Sequence, residues 1–210
     1  MSIKEAIAQR RSIRKYKAQT VPEALVLEAL EAAGWAPSAH NAQPWRFIII
    51  SDIAKKRRLA ETMAAAWVNN ASKEGTVVEQ SRLDFSIQRF SSAPVLIVAC
   101  LSMEGMREFT DAERQQSERD LAVQSLGAAI QNLLLSAHSS GLGACWFCSP
   151  AFCKDTVRTV LGVPDGVEPQ AIVLMGYLDE KPTAPKRKLI GEYCFVDVWG
   201  KPALLGSNHY

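Results

Sequence analysis

Ser117-Glu-Arg-Asp-Leu-Ala-Val-Gln-Ser-Leu-Gly-Ala-Ala-Ile-Gln-Asn-Leu-Leu-Leu-Ser-Ala-His-Ser-Ser140 reads as one long helix. Leu126, Ile130, Leu133, Leu134 and Ala137 recur at helical spacing, and Leu121, Ala128 and Leu135 fill the flanks. Apolar residues around most of the circumference imply burial on several sides, so this is the central helix of the fold. Gly141-Leu142-Gly143 closes it, and Ala144 to Cys148 follows as a strand.

The flanking chain supplies partners for that helix. Arg46 to Ser51, with Phe47-Ile48-Ile49-Ile50 at its centre, and Val95 to Leu101 after Pro94 are continuous apolar runs bounded by turn residues. That pattern predicts strands covered on both faces, and Gln170 to Tyr177 is a third. Helices are expected over Ser2 to Gln9, from a Thr20/Glu23 capping box to Gly34, and from an Asp52 N-cap through Trp67. In the last of these, Lys55-Lys56-Arg57-Arg58 reads as a solvated face. Ser149-Pro150 starts a further helix through Leu161. Residues 68–92 and 102–116 lack a clear apolar stripe and read as a mobile lid region. Cys194 to Trp199 alternates like an edge strand before a Pro/Gly-bearing tail. With no repeat and no linker, residues 1–210 are expected to form one domain.

Composition narrows the function. Of the 210 residues 48% are hydrophobic and 22% charged, which excludes a disordered or collagen-like chain. Lys plus Arg exceeds Asp plus Glu by only +2, so nucleic acid is not expected as a partner. The most apolar stretch, Leu121 to Leu142, is interrupted by Gln124, Gln131, Asn132 and His138, whereas a membrane span needs roughly 20 nearly unbroken apolar residues. Five cysteines, an odd number, and a polar, amphipathic Met1 to Arg10 without a signal peptide point to a reducing cytoplasm.

Three groups of residues carry possible chemistry. Arg10, Arg11 and Arg14 crowd around Ser12 at a helix exit, either as a solvated cluster or as several forks converging on one phosphate or polar ring. Asn41 and Gln43 lie in the loop between Trp35 and Trp45, as ordinary loop amides or as groups presented to a planar heterocycle. Cys145 and Cys148, with Cys153 beyond, have the spacing of a dithiol or half a metal site, but their apolar strand favours inert thiols. His40, His138 and His209 have no ligand spacing, and no metal is expected. Gly141-Leu142-Gly143 lacks a third glycine and follows a helix, the reverse of a dinucleotide fingerprint.

Four blocks in order carry a family resemblance: Arg10-Arg11-Ser12-Ile13-Arg14-Lys15-Tyr16, Ala36-Pro-Ser-Ala-His-Asn-Ala-Gln-Pro-Trp-Arg-Phe47, Gly141-Leu-Gly-Ala-Cys-Trp146, and Pro185-Lys-Arg187. Together they resemble the flavin-dependent nitroreductase family, over nearly the whole chain. The resemblance implies an α+β, three-layer fold with a central, mostly antiparallel sheet flanked by helices. It also implies a homodimer with exchanged C-terminal segments, binding FMN at the subunit interface.

By position it implies that Arg10, Ser12 and Arg187 meet the FMN phosphate, with Arg11 close by. It places Arg14, the implied catalytic residue, at the pyrimidine side of the isoalloxazine ring, where a fixed guanidinium stabilises the charge of the reduced ring. Ser38, Asn41 and Gln43 belong to the loop lent by the partner subunit, and the backbone near Cys148 and Ser149 faces N5. The implied activity is ping-pong transfer from NAD(P)H, a transient donor, to a nitroaromatic, quinone or related small-molecule acceptor. Residues 110–176 are also similar to the C-terminal flavin domain of the coenzyme F420 glutamyl ligase, which makes reduction of a deazaflavin precursor an alternative. An FMN-fragmenting enzyme, a dehalogenase and a non-catalytic flavin or deazaflavin carrier complete the alternatives.

Overall fold

The computed structural model of the chain describes residues 1–203; the end of the Pro/Gly-bearing tail, with His209, lies outside them. Continuous apolar runs in β1 (Trp45–Ile50), β2 (Val95–Ser102), β3 (Gly143–Phe147) and β4 (Val167–Gly176) form an antiparallel sheet in the order β1-β2-β4-β3. β2 is central and buried along its whole length, running from Val95 opposite Met175 to Ser102 opposite Val167 with one register shift between Ala99 and Cys100.

Strand alternation sorts the core into two halves. Ile97, Ala99 and Leu101, with Val173 and Met175, pack under α2 (Glu23–Gly34) and α5 (Ala112–Ser139). Leu96, Val98 and Cys100, with Ile172 and Leu174, pack against α3 (Ile53–Lys73), α4 (Gln80–Ser92) and α6 (Lys154–Leu161). The result is a helix–sheet–helix sandwich, an α+β fold of the kind the resemblance implies, with α1 (Ile3–Gln9) beside the end of α5. No described helix is long and apolar enough to cross a membrane.

Several expectations are corrected. β1 is an edge strand, with Ile49 exposed and Arg46 facing solvent, because only β2 pairs with it. Thr20 caps nothing: α2 begins at Glu23 behind Pro22, too late for Glu23 to reach back as the third residue of a capping box. α3 continues past Trp67 to Lys73 because Ala71 still faces the core. Within its basic start, Lys56 is buried, and its Nζ donates to the carbonyls of Ala93 at 2.7 Å and Pro94 at 3.3 Å.

The segment 68–92 holds the end of α3 and all of α4, whose Leu83 and Phe90 are buried. Of 102–116, Ser102 ends β2 and α5 begins at Ala112, where Asp111 accepts from the Arg114 N–H at 2.9 Å; the intervening loop is only 103–111. The helix after Ser149-Pro150 is broken at Cys153 into a 3-10 turn (Ser149–Phe152) and α6. Cys194 to Trp199 is no strand: a lone bridge joins Phe195 to Pro202, and the backbone turns at Asp197 and Gly200, both at positive φ.

Candidate functional site

The cationic segment is an extended strip clamped to the free edge of β3. α1 starts with a capping box between Ser2 and Glu5 and ends at Gln9. The chain then runs parallel to β3, with a bridge between Ser12 and Ala144 and the Ile13 N–H donating to the Ala144 carbonyl at 3.0 Å. The Tyr16 hydroxyl donates to the Ile13 carbonyl and lies 3.1 Å from that of Leu174. Glu180 accepts from the backbone N–H groups of Arg14 and Lys15.

This strip gathers positive charge. Burial, then the like charges of Arg187 and Arg11, lowers the Arg10 pKa from its ordinary value. Burial, then Arg10 and Arg11, likewise lowers the pKa of His138 in the last turn of α5. The His138 Nε2 is buried without a hydrogen-bond partner. Arg11 is turned onto the end of α1, donating to the carbonyls of Ala8 at 2.7 Å and Arg10 at 2.8 Å. Arg14 donates at 3.4 Å to the Ser12 carbonyl, and among the described residues Arg10, Arg14 and Arg187 form no ion pair. Converging, unneutralised cations beside an orphaned ring nitrogen fit a phosphate monoester.

The second group sits elsewhere. The loop around Ser38 is held to α5 by the Ala39 N–H, which donates to Ser125 Oγ at 3.2 Å, and by His40 Nε2, 3.2 Å from both carboxylate oxygens of buried Glu118. Ser38 Oγ accepts from the Gln43 N–H at 3.1 Å. His40, Asn41 and Gln43 adopt φ of 56°, 53° and 48°, a strained choice for residues with a Cβ. The Asn41 and Gln43 side chains are exposed and without hydrogen bonds among the described residues. Ser125 and His138 are thirteen residues apart on α5, about 20 Å at 1.5 Å per residue. Within one chain the arginine strip therefore lies at the C-terminal end of the central helix, whereas this loop lies along its N-terminal half.

Cys148 and Ser149 help line a cavity of about 900 Å³ between α3, α4 and the end of β3. Trp67, Phe85, Phe147 and Phe152 line it, with Arg82 and Arg89 among them. β3 joins strip and cavity, since its Ala144 is bridged to Ser12 of the strip and its Phe147 lines the cavity; Cys145 lies between them on that strand. Burial raises its thiol pKa and that of Cys153, which keeps both protonated, and all five cysteines are unpaired. Among the described residues no three His, Cys, Asp or Glu side chains gather to hold a metal.

Sequence reasoning missed three contributors. Glu180 clamps the strip from across the chain, without a local signal. His138 reads as a structural residue from its place on an apolar helix; the charges of Arg10 and Arg11, which act on it, belong to a segment far away in sequence. Arg89 lies on α4, and the spacing of Leu83, Ile87 and Phe90 was the available sign of that helix.

Known proteins resemble this chain in sequence and in fold. YfhC of Bacillus subtilis (strain 168), provisionally named an NAD(P)H nitroreductase, is 32% identical over 185 residues, spanning 88% of this chain and 89% of its own. A protein of Thermus thermophilus named NADH dehydrogenase is 29% identical over 205 residues, covering 86% of this chain and 89% of its own. The crystal structure of a BluB-like flavoprotein from Clostridium difficile 630 superposes with a TM-score of 0.77 at 25% identity, covering 93% of this chain and 99% of that one. The model of the Nitroreductase family matches residues 7–177, from α1 through all four strands, and the chain belongs to that family.

Proposed function

We propose that the chain is an FMN-dependent NAD(P)H oxidoreductase that works as a homodimer in the cytoplasm and passes electrons to small aromatic acceptors such as nitroaromatics or quinones. The observation that carries this reading is the separation of two polar half-sites along α5, about 20 Å apart in one chain, which a second copy would join into one pocket. The exposed apolar side chains support the second copy: Trp35, Leu189, Tyr193, Val198 and Trp199 are all more than half exposed. Four of these five lie in the C-terminal segment, consistent with an exchanged arm.

Arg10, Ser12 and Arg187 would hold the phosphate, with Arg11 adding charge nearby, and His138 would close the inner side. Arg14, its backbone fixed by Glu180, would lie along the pyrimidine edge of the ring, where a guanidinium stabilises added negative charge. Ser38, Asn41 and Gln43 of the second copy would meet the same ring edge, and the backbone at Cys148 and Ser149 would line its other side. Bound FMN supplies a two-electron carrier that NAD(P)H loads and an acceptor unloads. The cavity beside Cys148 leaves room for donor and acceptor in turn, as a ping-pong scheme requires.

The test is calorimetric titration of the apoprotein with FMN, followed by anaerobic rapid mixing of the loaded protein with NADH and with NADPH. The expected result is uptake of one FMN per chain and bleaching of the flavin by a nicotinamide. Absence of uptake contradicts the reading; uptake without reduction points to a carrier. Reoxidation by nitroaromatics, quinones or F420 species then identifies the acceptor class.

A further inference from the structure

The cavity between α3 and α4 contains two guanidinium groups, those of Arg82 and Arg89. Arg89 Cζ lies 4.3 Å from the Phe85 ring centroid and 5.4 Å from that of Phe147, and Arg82 Cζ lies 5.7 Å from that of Trp67. Neither arginine forms a hydrogen bond or an ion pair through its side chain among the described residues, although Arg89 is half-buried. A guanidinium packed over an aromatic ring can still present N–H groups to an anion. One acidic residue, Glu74, lines the cavity against these two cations, and the remaining wall is mainly apolar and aromatic. A volume near 900 Å³ suits a whole organic molecule rather than a lone ion.

We propose that this cavity selects electron acceptors that are planar aromatic carboxylates, with Arg89 as the carboxylate anchor and Arg82 at the rim. The inference rests on the oxidoreductase reading and deepens it by naming the acceptor class. The aromatic ring stacks among Trp67, Phe85 and Phe147, and its carboxylate takes the N–H groups of Arg89. The reducible group then points toward Cys148 and Ser149, where the cavity meets the strip around β3. For a nitro group the balance is ArNO2 + NADH + H+ → ArNO + NAD+ + H2O, with both electrons from the nicotinamide and one oxygen leaving as water.

The experiment compares 4-nitrobenzoate with its methyl ester, which has the same ring and nitro group but no charge. For the wild-type protein the acid-to-ester ratio of kcat/KM is expected to exceed unity, and Arg89→Met is expected to lower it about 10- to 100-fold. Arg57→Met, on the exposed face of α3 outside the cavity, controls for loss of one positive charge and leaves the ratio at its wild-type value. A ratio unchanged by Arg89→Met overturns the proposal, as does a defect confined to reduction by NADH, since the arginine would then serve the donor. Calorimetric binding of the acid and the ester to wild-type protein decides the matter if Arg89→Met fails to fold: equal affinities overturn the proposal. That measurement needs no flavin turnover, so it separates failure of this proposal from failure of the oxidoreductase reading.

Discussion

Gly143 and Ile13 touch where the arginine strip meets the sheet: a Cβ on Gly143 would stand 2.7 Å from both Cβ and Cγ1 of Ile13. Ile13 is buried and its N–H is bonded to the neighbouring Ala144, so it has no direction in which to yield. Gly143→Ala should therefore push the strip off β3, moving Ser12 and Arg14 together. The expected effects are a loss of about 1–3 kcal/mol in unfolding free energy and weaker FMN binding, checked by denaturant titration and calorimetry. Unchanged FMN affinity would show that strip placement does not govern the pocket.

Arg10 and Arg187 repel one another in the absence of an anion, so their removal should act on phosphate and not on ring binding. Arg10→Ala is expected to weaken FMN binding about 10- to 100-fold and to leave riboflavin, which has no phosphate, nearly unaffected. Parallel calorimetric titrations with the two ligands check this.

His138 is kept neutral by burial and by the cations of Arg10 and Arg11. A phosphate set among the same arginines brings negative charge toward the ring and should raise the His138 pKa. An NMR titration of the imidazole C–H resonances, with and without FMN, measures the change. A titration curve unmoved by FMN would place the phosphate elsewhere.

Glu168 joins the two helix layers at one end of the sheet, accepting from Arg119 of α5 at 2.8 Å and from Lys154 of α6 at 2.5 Å. The hydrogen bond from Arg119, reinforced by that from Lys154, outweighs burial and pulls its pKa from 4.5 down to about 2. A depressed carboxylate pKa stabilises the fold above the unfolded value and loses that contribution as pH falls toward 2. The contribution is about 1–2 kcal/mol after allowance for partial exposure. Glu168→Gln should lower the melting temperature at pH 7, and the gap from wild type should close between about pH 4.5 and 2. Melting curves across that range check the prediction.

Much of this organisation was legible because it is local. β2 is a continuous apolar run buried on both faces, and α5 carries a wide apolar surface because it packs against both the sheet and α2, although Leu121 and Val123 stay exposed. α4 was less so, because its inward positions Leu83, Ile87 and Phe90 are few and the apolar Phe85 beside them lies on the face that lines a cavity. Lys56 was misread for a different reason: its carbonyl acceptors, Ala93 and Pro94, lie at a junction far along the chain and carry no mark beside the lysine. For the site, the short blocks around Arg10, Asn41 and Arg187 pointed to the residues. The relations among them, such as Arg10 with Arg187 or His40 with Glu118, are products of the fold.

The most direct test of a pocket shared between two copies mixes two defective chains. Arg10→Ala disables the strip and Asn41→Ala the loop, so each homodimer is impaired at both its sites. In an equimolar mixture, refolded together so that chains exchange, half the dimers are mixed, and each mixed dimer holds one site with an intact strip from one chain and an intact loop from the other. Calorimetric titration with FMN should then recover wild-type affinity at about a quarter of all sites. Recovery of none, with mixed dimers verified by mass, would contradict a pocket built from two copies of the chain.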